Sequence, residues 1–310
     1  MSAPELLEGL IVGNHGRHFI IETQGGDRRI CHSRGKKSVG VVGDRVLWQA
    51  SRDEGTIEKI LERRNLFYRQ DEIRTKSFAA NLSQVLILIA ARPEFSSSQL
   101  SRALIAAEAA GISPLIVLNK SDLVEPFQRA WEWLKPYRAM GYKVLPLSLK
   151  NLDAPDTSRE NLRQQLEQQQ TLVLGPSGAG KSTLINMWIP GALAQTGEIS
   201  QALNSGKHTT TSTTWYWMDE QKSSALIDSP GFQEFGLHHI SPANLAAYMP
   251  DLRAHAGACR FYNCTHLHEP NCAVRDSLQK TPEDPSDAAI SLNRYDIYQA
   301  LYAELSQTRY

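Results

Sequence analysis

The chain has 310 residues, 41% hydrophobic and 21% charged, with a formal net charge of zero, which is enough for a sizeable core and, by length, for two or three domains. Its longest apolar runs, residues 85–91 and 114–118, fall far short of the roughly 20 residues that cross a bilayer. The start "MSAPELLEGLIVG" has no basic region ahead of an apolar core, unlike a secretory signal, so no membrane contact and a cytoplasmic location are expected.

Residues 8–68 break into short alternating segments, "GLIVGNHG", "RHFIIETQGG" and "VVGDRVLWQA", separated by Gly and Asp turns. That spacing predicts a five-stranded β-barrel of the oligonucleotide-binding type, with "VGDRV" as a turn entering a strand and "GTIEKILERRN" closing the module. Residues 1–76 hold 14 Lys+Arg against 11 Asp+Glu, a balance of +3. Arg28, Arg29, Arg34, Lys36 and Lys37 cluster in one loop-rich stretch that either reaches RNA phosphates or is simply solvated. The polar, unpatterned "YRQDEIRTKSFAAN" reads as a linker, with a boundary near residue 76.

Continuous apolar strands then alternate with helical stretches: "QVLILIAA", "SSQLSRALIAAEAAG", "PLIVLN", "PFQRAWEWLKPYRAMG", "YKVLPLS", "SRENLRQQLEQQQ", "TLVLG" and "GKSTLINMW". This alternation predicts a mostly parallel α/β sheet covered on both faces. After about residue 245 the strands stop, leaving a Cys/His-rich loop and a helical pattern. Three units are therefore expected: 1–76, 77–245 and 246–310.

"GPSGAGKST" (Gly175, Pro176, Ser177, Gly178, Ala179, Gly180, Lys181, Ser182, Thr183) follows an apolar strand and opens a helix, the context a phosphate loop requires. Its backbone N–H groups would wrap phosphates, Lys181 would neutralise the β and γ phosphates, and Ser182 would ligate Mg²⁺. In "LIDSPGF", Asp228 is placed to hold the same Mg²⁺ through water and the Gly231 N–H to sense the γ-phosphate. Between them "GKHTTTSTT" supplies a threonine for the Mg²⁺ shell, Thr210 as first choice and Thr209 as second.

"PLIVLNKSDL" ends a strand in Asn119, Lys120, Ser121 and Asp122. The Asp122 carboxylate can accept from guanine N1–H and its 2-amino group, donors that adenine does not offer there. Asn119 would brace the loop and approach the base edge, the Lys120 stem would cover the base, and Ser148 in "PLSLK" would direct a backbone N–H at guanine O6. The base-reading loop precedes the phosphate loop in the chain, so the expected fold is a circularly permuted GTPase. A metabolic P-loop kinase or ATPase is opposed by Asp122.

Cys259, Cys264, His266 and Cys272 lie within fourteen residues and fit a closed tetrahedral zinc site, with His268 a rival for His266 and His255 just outside. A small domain with little core gains stability from such a metal. Cys31 reads as a buried residue.

With "VGDRV", "AANLSQ", "NKSD", "GPSGAGKST", "GKHTTT", "DSPGFQEFGL" and "EPNCAV" on one chain, the sequence resembles the family of small-ribosomal-subunit-dependent GTPases known as RsgA or YjeQ over nearly its whole length. The resemblance implies GTP hydrolysis late in small-subunit assembly by a monomer. The barrel and zinc domain would touch ribosomal RNA, and nucleotide state would control release. The alternative is an RNA-binding assembly chaperone that uses GTP mainly as a conformational ligand. Phe232 stands where many GTPases place a water-orienting Gln and cannot hold a nucleophile, so another group must do so. His238 and His239 are nearby, and the resemblance points to His239 as catalytic, beside Lys181 and Thr210.

Overall fold

The computed structural model describes residues 6–16, 18–34, 40–51, 54–150, 157–192, 213–230, 232, 235–278 and 289–307. Five strands, β1 (Leu7–His15), β2 (His18–Thr23), β3 (Arg28–Ser33), β4 (Arg45–Gln49) and β5 (Gly55–Ile60), pair in the order β1-β2-β3-β5-β4 and close through β1 on β4. This is the expected barrel. Every second residue points inward, so Ile11, Phe19, Ile21, Cys31, Val46, Trp48 and Ile57 are buried together and the barrel has no open edge. Burial pushes the Cys31 thiol up to about 11, as suits an inert core residue.

The stretch expected to be a linker is instead an antiparallel hairpin, β6 (Leu66–Gln70) with β7 (Thr75–Ala80). Its polar residues misled the periodicity because they meet protein: Phe67 and Phe78 are buried, while Gln70 and Lys76 bond the segment after Asp228.

Strands β8 (Gln84–Ala90), β9 (Ser113–Asn119), β10 (Lys143–Pro146), β11 (Gln170–Leu174) and β13 (Ala225–Asp228) form a parallel sheet in the order β10-β9-β8-β11-β13, with β12 (Thr214–Trp217) antiparallel at its edge. Alternate residues of these strands bury on opposite faces. Val85, Ile87 and Ile116 pack with Leu100 and Leu104 of α1 (Ser97–Ala110), whereas Leu86, Leu88 and Val117 pack with Leu162 and Leu166 of α4 (Thr157–Leu166) and Leu184 of α5 (Lys181–Trp188). The helical stretch at 126–141 divides into α2 (Val124–Trp133) and α3 (Lys135–Ala139). Pro136, which cannot continue a helix but suits a first turn, marks the division.

The barrel joins the sheet edge where Gly13 of β1 pairs with Thr214 of β12. Beside this junction the buried Glu22 carboxylate accepts from Lys222 Nζ (2.7 Å) and Trp217 Nε1 (2.8 Å). Beyond the sheet lie a 3₁₀ helix (Pro242–Tyr248), α6 (Pro250–Ala256), α7 (Ala273–Asp276) and α8 (Leu292–Leu305). This C-terminal part packs into the α1 side of the core through Leu252, Tyr295, Tyr298 and Leu301. Among the described residues, no helix is long and apolar enough to cross a membrane.

Candidate GTP site and metal centre

A parallel sheet presents the C-terminal ends of its strands, and the loops that follow, to a ligand. Here the loops after β9, β10, β11 and β13 converge on a cleft of about 830 Å³ whose walls include Asn119, Lys120, Asp122, Gly175, Pro176, Ser177, Gly178, Gly180, Lys181, Ser182, Thr183, Pro230 and Phe232. Two motifs far apart in sequence thus share one cavity. The phosphate loop needs glycine at two points in particular. A Cβ on Gly175 would come within 2.3 Å of the Leu88 carbonyl oxygen, and Gly180, at φ +104, would drive a Cβ to 2.6 Å from Asn119 Nδ2. Bulk at either position separates the loop from its neighbours.

Asn119 ties the two loops together. It is 2% exposed, its Nδ2 donates to the Ala179 carbonyl at 2.8 Å, and its Oδ1 accepts from the Lys120 N–H at 2.7 Å. Bracing is what its contacts supply. Lys120 adopts a left-handed φ of +69, and its Nζ donates to the Arg92 carbonyl at 2.5 Å. Ser121 N–H donates to the Leu147 carbonyl at 3.0 Å, linking the loop to the end of β10. Ser121, Ser148 and Ala179 thus stand one step behind the cleft wall.

The Ser148 hydroxyl donates to Asp122 Oδ1 at 3.0 Å, with Lys150 Nζ 3.8 Å from Oδ2, a side-chain bond additional to the backbone role that the sequence suggests. That side-chain bond aims the Asp122 carboxylate. Nothing in the spacing of "PLSLK" distinguishes a side-chain from a backbone role.

In the same cleft wall, Lys181 Nζ lies 3.4 Å from both Asp228 Oδ1 and the Ser229 carbonyl, so cation and carboxylate meet at the start of α5. Thr213 and Ser229 hydroxyls, 2.8 Å apart, join the start of β12 to the turn after β13. Thr209, Thr210 and Gly231 lie outside the described residues.

His239 is not part of the cleft wall. Its ring lies against Tyr68 of β6, centroids 4.4 Å apart, and burial, helped by the neighbouring His238, lowers its pKa. His238 Nε2 faces Glu304 of α8 at 4.0 Å. Phe232 does line the cleft and is 4% exposed, so the position next to the Asp-Ser-Pro-Gly turn is apolar, as its sequence predicts. In the barrel, Arg28 Nε is 3.3 Å from Glu22 Oε2 and Arg34 Nη1 is 2.7 Å from Glu58 Oε2, while Arg29 is exposed. Two of the five basic groups therefore already face carboxylates. Lys36 and Lys37 lie outside the described residues.

The donor atoms of Cys259, Cys264, His266 and Cys272 all lie within 4.8 Å of one another. Cys259 Sγ and Cys272 Sγ are 3.9 Å apart, and each is 3.5 Å from His266 Nδ1. A tetrahedral ion with metal–sulfur bonds of about 2.3 Å separates its donors by about 3.6 to 3.8 Å, so the four side chains fit one metal. His266 takes a left-handed φ of +61, and its carbonyl accepts from Tyr295 Oη (2.7 Å) as that of Thr265 does from Tyr298 Oη (2.7 Å). Helix α8 thereby fixes the loop. His268 and His255 are not in the cluster; His255 Nδ1 is 3.0 Å from Ser277 Oγ.

A model of the RsgA GTPase family matches residues 60–238. The chain is 66% identical over 309 residues to the small ribosomal subunit biogenesis GTPase RsgA of Variovorax paradoxus (strain S110), covering 100% of this chain and 96% of that one. It is 49% identical over 305 residues to the protein of that name from Burkholderia pseudomallei (strain K96243), covering 98% and 94%. Among solved structures, YjeQ from Thermotoga maritima matches with a TM-score of 0.74 at 26% identity over 98% of this chain and 100% of that one. YloQ, a circularly permuted GTPase, matches at 0.70 and 27% over 99% and 98%. With the Asn119–Asp122 loop ahead of the Gly175–Thr183 loop in the chain and beside it in the cleft, this protein belongs to the RsgA GTPase family.

Proposed function

We propose that this protein hydrolyses GTP in response to the small ribosomal subunit late in that subunit's assembly, and that nucleotide state governs its binding and release. The observation that carries this reading is that Asp122 and Lys181 line one cleft, with Asp228 Oδ1 3.4 Å from Lys181 Nζ. Asp122, held by Ser148, receives the guanine donors, while backbone N–H groups from Gly175 to Thr183 receive the phosphates. Ser182, Thr210 and Asp228 would hold Mg²⁺, which supplies charge neutralisation at the β and γ oxygens. Gly231 answers to the γ-phosphate. The metal of the Cys/His cluster is zinc, with a structural role, since three thiolates and an imidazole form a closed donor set.

The reading divides the chain into an RNA-binding barrel (1–76), the GTPase unit (77–245) and a zinc-binding unit (246–310), working as a soluble cytoplasmic monomer. Arg28, Arg29, Arg34, Lys36 and Lys37 contact ribosomal RNA phosphates. His239 places the attacking water once it has left Tyr68, which makes unaided turnover slow. The position of His239 against Tyr68 is also what an RNA-binding chaperone with incidental hydrolysis would show, and two variants separate these readings. Neutralising the basic loop weakens subunit binding and lowers its salt slope by about one unit per lost phosphate contact, with basal hydrolysis unchanged. His239→Ala leaves binding intact and suppresses stimulated hydrolysis. Full stimulation of the His239 variant would remove that side chain from the mechanism.

A further inference from the structure

We propose that Glu304, near the end of α8, is a positioning residue that restrains turnover: paired with Arg102 of α1, it clamps residues 235–238 and so keeps the adjoining His239 against Tyr68. The inference rests on the reading of His239 as the group that places the attacking water. The Arg102 guanidinium meets Glu304 in a two-pronged pair, Nη1 with Oε1 at 2.9 Å and Nη2 with Oε2. Its Nη1 also donates to the Phe235 carbonyl at 3.3 Å, and His238 Nε2 stands 4.0 Å from Glu304 Oε1. Side chains from α1 and α8 thus hold both ends of a short segment, and the next residue is His239. The Arg102 hydrogen bonds outweigh burial and hold the Glu304 carboxyl below its ordinary value, so the pair is ionised at neutral pH.

The clamp is the releasable side of this segment. On the other side only backbone groups hold it to β6: Gln70 N–H donates to the Gly236 carbonyl (3.0 Å), and the Gln70 carbonyl accepts from His238 N–H (2.9 Å). Phe235 and Leu237 are buried and anchor it to the core. The Arg102 and Glu304 side chains, by contrast, are 19% and 32% exposed, so water competes for their contact. His239 itself is held by its surroundings rather than by bonds of its own. Its Nδ1 is buried and has no hydrogen-bond partner among the described residues, which leaves the ring contact with Tyr68. A buried polar atom left unpaired is costly, so the ring stays there only while the segment that carries it is fixed. Helix α8 also bears Tyr295 and Tyr298, whose hydroxyls bond the Cys/His loop. One helix therefore joins that loop to the clamp, and a shift of α8 would free His239.

The test measures GTP turnover without subunits, as kcat and KM, for the full-length parent, Glu304→Gln, Arg102→Gln, and Glu304→Gln combined with His239→Ala. Losing a partly exposed ion pair shifts a two-state balance by up to about fivefold. Glu304→Gln should therefore raise kcat about two- to fivefold, with KM little changed because neither clamp residue lines the cleft. Arg102→Gln, which breaks the same pair and keeps α8 unaltered, should do likewise. Adding His239→Ala should cancel the increase. A pair that only supports the fold gives no gain in turnover when broken, so kcat at or below the parent's in both single variants would overturn the proposal. An increase that survives His239→Ala would overturn it too. Full stimulation of the His239→Ala chain by small subunits would instead overturn the reading of His239, and the proposal with it.

Discussion

Removing Arg294 should undock the C-terminal part from the GTPase unit. The residue is 3% exposed, and its guanidinium meets Asp251 of α6 in a two-pronged pair, Nε–Oδ2 2.8 Å and Nη2–Oδ1 3.0 Å, while Nη1 donates to Ser101 Oγ of α1 at 2.7 Å. One side chain thus joins α8, α6 and the sheet-covering helix. In Arg294→Met the Asp251 carboxylate stays in a buried setting without its counter-charge, which costs about 3–5 kcal/mol. Ser101 is less affected, because it keeps its bond to the Ser97 carbonyl (2.7 Å) and its contact with Tyr137 Oη (3.0 Å). The amides of residues 292–305 should then exchange about two to three orders of magnitude faster, at 1.4 kcal/mol per tenfold. Replacing Asp251 by Leu in the same chain should recover much of the loss, since a well-packed apolar pair can equal a buried ion pair. Hydrogen exchange read by mass spectrometry checks both variants. If Arg294→Met left the protection of α8 within about tenfold of the parent, a loss of only about 1.4 kcal/mol, the pair would not be the clamp described.

Three further outcomes are expected. Asp122→Asn should shift preference from guanine toward xanthine nucleotides, because an amide presents a donor where guanine also has donors; retained GTP selectivity in a competition assay would refute the role of Asp122. The purified chain should carry one tetrahedrally bound metal, and Cys264→Ser should lower metal content and loosen the Cys/His loop; a loop equally protected from exchange in chelator would count against a structural metal. Burial raises the Glu22 carboxyl, but the Lys222 and Trp217 hydrogen bonds more than offset it and leave its pKa below the ordinary value. Such a group stabilises above its unfolded pKa and loses that contribution as pH falls through the folded one. The stability gap between the parent and Glu22→Gln should therefore be flat above about pH 5 and narrow below about pH 4; a gap that widened in acid would contradict the assignment.

The candidate site was legible as two short motifs of rigid spacing, which the fold brings into one cleft. Gly175, Gly180, Lys181 and Ser182 have the spacing expected of a phosphate loop, and Asn119 to Asp122 that expected of a base-reading loop. The order of the motifs implied the permutation, which the shared cleft bears out. The hairpin at 66–80 was not legible, since strand periodicity presumes that a polar face meets water, and here Gln70 and Lys76 meet the loop after β13. The Ser148 hydroxyl bond to Asp122 and the left-handed backbone of His266 gave no sign in the sequence. Long-range side-chain bonds leave no periodic trace.

The central claim is most directly tested by GTP turnover of the purified protein with and without small ribosomal subunits. The account predicts slow basal hydrolysis, because Phe232 occupies the place of a water-orienting side chain and His239 lies against Tyr68, and strong acceleration when subunits are added. Turnover that small subunits leave unchanged would contradict it.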